Sequence, residues 1–161
     1  MGFMPDGLYD RDILSWSEHQ ADLLRRLARG ERVNDVDWEH VVEEIEDVGL
    51  SELHAVESFL DLMLVHLLKV HAWPDSSSVQ HWRMEIGSFQ KNAVRRFSPS
   101  MRQRIDTAKL YSDALEQLEG VKYDDIAPHP LPRSCPFTLG DLLTARRAEL
   151  EERLDASREA S

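Results

Sequence analysis

The most constraining feature of this sequence is one long apolar segment, residues 51–73, which ends directly before Pro74. In its first half, apolar residues such as Leu53, Val56 and Leu60 recur at helical spacing on one side, while the other side is polar. In its second half, LMLVHLLKVHAW, apolar residues occupy nearly every side. A helix that is apolar all round must be surrounded by other helices. The segment therefore predicts the central helix of a bundle.

Helical spacing also governs the chain that precedes this segment. One apolar stripe spans residues 13–27 and predicts a first helix that ends at Gly30. A second helix is expected to begin after Asp37 as its N-cap and to end at Gly49. Its apolar residues share one face that is expected to be buried: Trp38, Val41, Val42, Ile45 and Val48.

Three breaks organise the rest of the chain. The loop at residues 74–78 separates the central helix from a fourth helix, and a serine–proline break at residues 98–100 starts a fifth. An irregular proline-rich stretch follows at residues 122–136, because proline disfavours both helix interiors and central strands. Thr138 and Asp141 then have the spacing of a helix-capping box and predict the start of the last helix.

These patterns predict an all-α fold, a single-domain bundle of about six helices whose central helix spans about residues 51–73. The expected organisation is a flexible N-terminus at residues 1–8, the bundle domain at residues 9–143 and a charged helical C-terminal extension at residues 144–161.

The amino-acid composition constrains the cellular location of the protein and the class of partner that it can bind. The net charge of −11 argues against a nucleic-acid binder, because phosphates would be repelled. A single cysteine excludes an internal disulfide and is typical of a reducing cytoplasm. The N-terminal residues lack the basic and apolar regions of a signal peptide, and the longest apolar run is too short to span a membrane. A cytoplasmic protein without a cofactor is therefore expected.

Six motifs follow one another in an order that resembles a known bacterial family. They are YDRDILSWSEHQADLLRR, DWEHVVEEIEDVG, LMLVHLLK, the His81–Trp82 pair, SPS and SCPFTLGDLL. This order is similar to the family called domain of unknown function 29, over about residues 9–143. The resemblance implies a bacterial all-helical domain and brings no established activity with it.

His66 is the main candidate for chemistry. It lies inside the apolar segment, and buried polar groups need partners, so Glu44 or Glu46 on the preceding helix is its expected partner. A histidine–carboxylate pair of this kind would fix the register of two helices. The same pair also orients a catalytic imidazole, and the three residues together are candidate metal ligands. Both interpretations remain open at this point, with His71 and His81 as further candidates for such a site.

The basic residues concentrate in one segment, residues 83–109, which carries seven bases and two acids. Arg95, Arg96 and Arg102 lie near a helix junction and are a candidate patch for an anion or an acidic partner. The simpler interpretation is that an acidic protein pairs these bases with its own carboxylates. Separately, the helix expected after Cys135 is predicted to lower the pKa of that thiol.

The sequence contains no Ser–His–Asp spacing, P-loop or dinucleotide fingerprint. The favoured hypothesis is therefore a small protein-interaction or regulatory module that presents a helical surface to a protein partner or to a second copy of itself. The first alternative is a metal-binding or hydrolytic bundle enzyme that uses Glu44 and His66. The second is nucleic-acid or phosphate binding by residues 83–109. The sequence does not identify the substrate, the partner or the oligomeric state.

Overall fold

The structure is a computed structural model in which residues 7–159 are described, apart from the side chain of Glu159. The chain forms two compact units, Met1–Leu50 and Ser51–Ser161, which are treated separately below. Of the N-terminal segment expected to be flexible, residues 1–6 lie outside the described part, and Leu8 already begins a helix. Residues 160 and 161 of the expected C-terminal extension also lie outside it.

The all-α prediction is confirmed: seven α-helices and one short 3₁₀ helix account for the regular structure of residues 7–159. The helices are α1 (Leu8–Arg11), α2 (Ile13–Ala28), α3 (Trp38–Ala72), α4 (Val79–Arg96), the 3₁₀ turn (Pro99–Met101), α5 (Thr107–Gln117), α6 (Leu139–Thr144) and α7 (Arg147–Glu159). Within the described residues, no helix is both long enough and apolar enough to cross a membrane.

The first unit contains α1, α2 and the beginning of α3. The carboxylate of Asp12 caps α2 by accepting a hydrogen bond from the Ser15 amide. Gly30 ends the helix in a left-handed conformation with φ of 84°, as the sequence predicts, and its amide donates to the carbonyl of Leu27. Along α2 the predicted apolar stripe is buried at Trp16 and Leu23, whereas Ile13 at its start is 50% exposed.

The expected break between the second and third helices does not occur, because α3 continues through Gly49 to Ala72. One interior glycine costs a helix only about 1 kcal/mol relative to alanine. No proline interrupts this stretch before Pro74, which follows the helix end as predicted. Each interior residue also adds a backbone hydrogen bond, so a single glycine does not divide a helix of 35 residues.

The second unit is built around the rest of α3, as the sequence predicts. Ten of its apolar side chains are buried: Leu53, Val56, Leu60, Met63, Leu64, Val65, Leu67, Leu68, Val70 and Ala72. The surrounding helices contribute further buried residues, such as Ile86 from α4, Tyr111 from α5, Leu142 from α6 and Leu150 from α7. The central position of residues 51–73 is thereby confirmed.

Two later helices differ from their predicted limits. Ser98 and Pro99 begin only a 3₁₀ turn, and α5 starts eight residues later, where the carboxylate of Asp106 caps it through the Lys109 amide. The last helix is divided in two by an extended residue at Ala145. The predicted capping box at Thr138 is confirmed, with reciprocal hydrogen bonds to Asp141.

The proline-rich segment is irregular, as predicted, and aromatic contacts tie it to the helices. The indole nitrogen of Trp73 donates to the carbonyl oxygen of Ile126 at 2.9 Å. The ring of Tyr123 meets the rings of Trp73 and Trp82 edge-on, each at 4.8 Å between centroids. The ammonium group of Lys69 lies 5.6 Å from the Trp82 ring and 5.5 Å from the Tyr123 ring. Lys69 therefore contributes to this cluster instead of extending freely into solvent.

Replacing Leu64 with alanine should destabilise the protein far more than the same replacement at Leu62. Leu64 is completely buried, whereas Leu62 is on the exposed side of the same helix. We expect Leu64→Ala to lower the free energy of unfolding by about 2–5 kcal/mol, since it removes buried methyl groups and leaves a cavity. Leu62→Ala should lower it by no more than about 0.5 kcal/mol. Urea denaturation measures both values, and equal losses would contradict this orientation of α3.

Candidate functional site

His66 is held between its own helix and α4. Its Nδ1 lies 2.8 Å from the carbonyl oxygen of Leu62, and its Nε2 lies 2.7 Å from a carboxylate oxygen of Glu85. The ring also contacts Phe89 edge-on at 5.2 Å between centroids. The residue is 8% exposed. His66 is therefore a nearly buried residue with a polar partner on each ring nitrogen.

The two partners determine where the protons are. A backbone carbonyl only accepts, so Nδ1 must carry a hydrogen and donate it to Leu62. The contact between Nε2 and Glu85 then needs one more proton, carried either by the ring or by the carboxyl group. His81 approaches the other carboxylate oxygen of Glu85 at 3.3 Å. The pair thus joins α3 to α4, and both ring nitrogens of His66 are engaged in hydrogen bonds.

The structure gives His66 a different partner from the one expected. Glu44 and Glu46 lie on the same continuous helix as His66, so they are not on a neighbouring helix that could face it. Glu44 instead accepts a hydrogen bond of 2.7 Å from the Tyr9 hydroxyl, and Glu46 is exposed. Glu44, Glu46 and His66 therefore do not form one site by the route that the sequence suggested. Among residues 7–159, no group of three or more His, Cys, Asp or Glu side chains is arranged to hold a metal ion.

A second polar cluster lies in the first unit, around Asp37 at the start of α3. Its carboxylate accepts hydrogen bonds from the Trp16 indole at 3.0 Å and from His40 Nδ1 at 2.7 Å. The His40 ring stacks on Tyr9 with 3.9 Å between centroids, and Tyr9 in turn donates to Glu44. His40 is not among the candidate residues that the sequence indicated. The sequence signal was the spacing from Asp37, which puts the two side chains on one side of a helical turn.

This cluster shifts the pKa values of its members. The hydrogen bond to Glu44, with burial and nearby carboxylates, raises the pKa of Tyr9 to about 12. The hydrogen bond to Asp37 raises the pKa of His40 above its usual 6.5. Burial raises the pKa of Asp37, but hydrogen bonds from His40 and Trp16 outweigh it, so the net pKa is lowered. The cluster therefore favours a protonated His40 beside an ionised Asp37.

His71, near the end of α3, lines a cavity of about 390 Å³ in the second unit. Its Nδ1 lies 2.8 Å from a carboxylate oxygen of Asp155 on α7, while its Nε2 is buried and has no hydrogen-bond partner among the described residues. Arg83 and Glu151 form an ion pair at the same cavity. The contact between His71 and Asp155 joins α3 to α7 at this cavity.

Three of the seven bases of residues 83–109 pair with the protein's own carboxylates. Arg96 contacts Glu52 at 3.0 Å, and Arg83 and Lys109 likewise have acidic partners, so the simpler interpretation is confirmed for these three. Arg102 lies over the ring of Phe97. Of the predicted patch, Arg95 and Arg102 are exposed and Arg96 is engaged with Glu52.

The prediction for Cys135 is wrong in sign. Burial raises the pKa of the thiol above its ordinary value, and the hydrogen bond to the Phe137 carbonyl opposes this shift only in part. The helix that follows, α6, has six residues and starts beyond Phe137, so its N-terminus does not dominate the electrostatics of the thiol. A half-buried, protonated Cys135 is not an activated nucleophile.

The main departure from the sequence pattern is an exposed apolar face on the first part of α3. Five residues were expected to be buried there, yet only Val41 is, at 7% exposure. The other four are between 51% and 70% exposed and are called the apolar stripe below: Trp38, Val42, Ile45 and Val48. Their spacing of three and four residues places them within roughly 120° of one helical face.

Taken together, these features define an all-helical domain with histidine–carboxylate pairs and an uncovered apolar helix face. The chain belongs to the family described as domain of unknown function DUF29, whose sequence profile matches residues 8–147. The resemblance noted in the sequence is thus confirmed.

One solved structure extends the comparison. The chain is similar to an alpha-helical protein of unknown function from Rhodospirillum rubrum ATCC 11170, at 29% sequence identity and a TM-score of 0.68. The alignment covers 91% of this chain and 96% of that one. A search of curated proteins finds no match. The family and the neighbour establish the helical fold and bring no specific activity to this chain.

His66→Ala should lower the free energy of unfolding by about 2 kcal/mol or more, because it empties a nearly buried position and leaves the partly buried Glu85 carboxylate without its His66 partner. His81→Ala is the matched control: it removes an exposed histidine beside the same carboxylate and should cost no more than about 0.5 kcal/mol. A double-mutant cycle with Glu85→Gln measures the coupling directly. A coupling energy of zero between His66 and Glu85 would contradict the pair.

The Asp37–His40 pair should lose its stabilising effect as the pH rises. Because the folded-state pKa of His40 is raised above 6.5, the contribution of this pair is fully present below pH 6.5 and is lost as the pH rises through the raised pKa. Asp37→Asn keeps an oxygen to accept from Trp16 but removes the charge, so it should return the pKa of His40 toward 6.5. NMR titration of His40 in both proteins checks this, and equal pKa values would contradict it.

Proposed function

We propose that this protein is a small cytoplasmic interaction module, acting in regulation, that binds a partner protein through the apolar stripe of α3. The single observation that carries the proposal is the exposure of a helical face whose residue pattern is that of a buried one. Single exposed apolar residues are ordinary, but several grouped along one face mark an interaction surface. The stripe includes Trp38, and tryptophan is enriched among the residues that dominate binding energies.

Contacts within the first unit fix the helix that carries the stripe. On the side of α3 that meets α1 and α2, the hydrogen bonds of Asp37 and Glu44 and the stacked His40 hold the helix in place. The stripe therefore lies on a helix whose backbone is fixed before any partner arrives. Such preorganisation lowers the conformational entropy lost on binding.

The other two hypotheses have less support. Chemistry on Glu44 and His66 would need a free ring nitrogen on His66, and both nitrogens have partners. Binding of nucleic acid or phosphate by residues 83–109 would need unpaired bases, and several of these contact the protein's own acids. The cytoplasmic setting is supported by the single cysteine, which is a half-buried free thiol.

Trp38 makes binding at the stripe directly observable, because Trp16, Trp73 and Trp82 are each 4% exposed or less. We expect a helical peptide with a leucine face and glutamine elsewhere to shift the Trp38 emission to the blue and to protect it from acrylamide, in a saturable titration. Val48→Ser should weaken this binding about tenfold, since it removes apolar surface that is buried on binding.

Val94→Ser is the matched control, since Val94 is also an exposed helical valine but lies outside the stripe, on α4. It should bind the peptide as the unaltered protein does, and neither serine variant should change the free energy of unfolding by more than about 0.5 kcal/mol. The proposal fails if the emission of Trp38 does not respond, or if both variants weaken binding equally.

A further inference from the structure

We infer that the partner of the apolar stripe is a positively charged amphipathic helix. The inference rests on the proposed function and adds the chemistry of the partner. Two features of the structure support it: the shape of the stripe and the charges beside it.

The shape of the stripe fits a helix. Residues 38–48 extend about 15 Å along α3, or three helical turns, with apolar side chains at successive turns. This is the pattern on which an amphipathic helix lies with anchors three or four residues apart. Gly49 continues the same face, and a Cβ added there would meet no atom within 4 Å, so a partner backbone can approach closely. Addition of a strand would need a sheet edge, whereas residues 7–159 contain only the isolated bridge between Tyr123 and Ile126.

Apart from His40, the charges on the segment that carries the stripe are all negative. Residues 37–47 contain six acids and no lysine or arginine. Two of them, Asp37 and Glu44, are engaged by Trp16, His40 and Tyr9, as described above. The other four are exposed, and none forms an ion pair with a lysine or arginine of the described chain: Glu39, Glu43, Glu46 and Asp47.

Two of these exposed carboxylates lie where a helix bound to the stripe would contact them. At 100° per residue, Glu39 and Glu46 fall beside the edge of the stripe that Trp38 and Val42 form. A helix lying on the stripe would place its flanking residues next to these two carboxylates. Lysine or arginine at those places would form exposed ion pairs with them.

The same charges disfavour other occupants. A second copy of this chain would place its own Glu39 and Glu46 near those of the first, and like charges facing each other oppose association. An anionic membrane surface or a nucleic acid would be repelled in the same way. A cationic amphipathic helix is the occupant for which both the apolar face and the acidic flank are favourable.

Three peptides of about 18 residues, long enough to hold a helix, test the inference. They share one leucine face and differ only in the remaining positions, which are lysine, glutamine or glutamate. With Trp38 emission as the readout and the full chain as the protein, we expect the lysine peptide to bind about tenfold more tightly than the glutamine peptide, and the glutamate peptide about tenfold more weakly. The differences should largely disappear at about 0.5 M salt, which screens exposed charges.

Charge reversal in the protein provides the control. The double variant Glu39→Lys and Glu46→Lys should invert the order of the three peptides. Glu116→Lys with Glu119→Lys changes the net charge equally, but both residues are exposed and lie outside the first unit. This second double variant should keep the original order, which separates a local acidic flank from the net charge of the whole protein.

Each outcome has a distinct meaning. Equal affinities for the three peptides would overturn the cationic partner and leave the proposed interaction surface intact. Failure of every peptide to bind would overturn both. If sedimentation shows a dimer of the free protein that Val48→Ser converts to a monomer, the stripe is occupied by a second copy, and the cationic helix is wrong while the interaction function stands.

Discussion

Burial of α3 on nearly all sides over residues 63–72 is the constraint on which the second unit depends. A helix placed there must be enclosed, and each polar side chain that it carries must receive a partner from an enclosing element. His66 receives Glu85 from α4. His71 receives Asp155 from α7. The polar residues of the central helix thus determine how the neighbouring helices are placed around it. Loss of either contact would leave a buried polar atom unpartnered, which costs more than the hydrogen bond itself contributes.

The first part of the same helix is contacted on its polar side and exposed on its apolar side. Its polar side is engaged by α1 and α2 through Asp37, His40 and Glu44. Its apolar side is left exposed, although an apolar face of this width is normally covered. One continuous helix therefore performs two tasks: its second part organises a core, and its first part displays a surface. Continuity through Gly49 makes this possible without a separate element to carry the surface.

The sequence predicts the fold well because helical periodicity and proline placement are local signals. The sequence predicts the apolar pattern on all sides of residues 62–73, the end of α3 before Pro74 and the capping box at Thr138. The sequence could not reveal the continuity of α3, since a single glycine ends a helix only where a left-handed conformation forms, as it does at Gly30. Nor could it identify Glu85 as the partner of His66, because that contact depends on the packing of two helices. Periodicity likewise shows which face is apolar but not whether another element covers it.

The acidic residues of positions 37–47 and the apolar stripe lie on the same short segment of helix. Protonation of His40 and binding of a partner at the stripe are therefore linked. The charges of Glu43 and Glu39 help to raise the pKa of His40, after the larger effect of its hydrogen bond to Asp37. A cationic helix bound beside these carboxylates would offset their negative charge. The carboxylates would then stabilise the protonated form of His40 less. Binding would then lower the pKa of His40, and by the same linkage protonation of His40 would weaken the binding of a cationic partner. A histidine in this position gives the surface a dependence on pH that a stripe without it would lack.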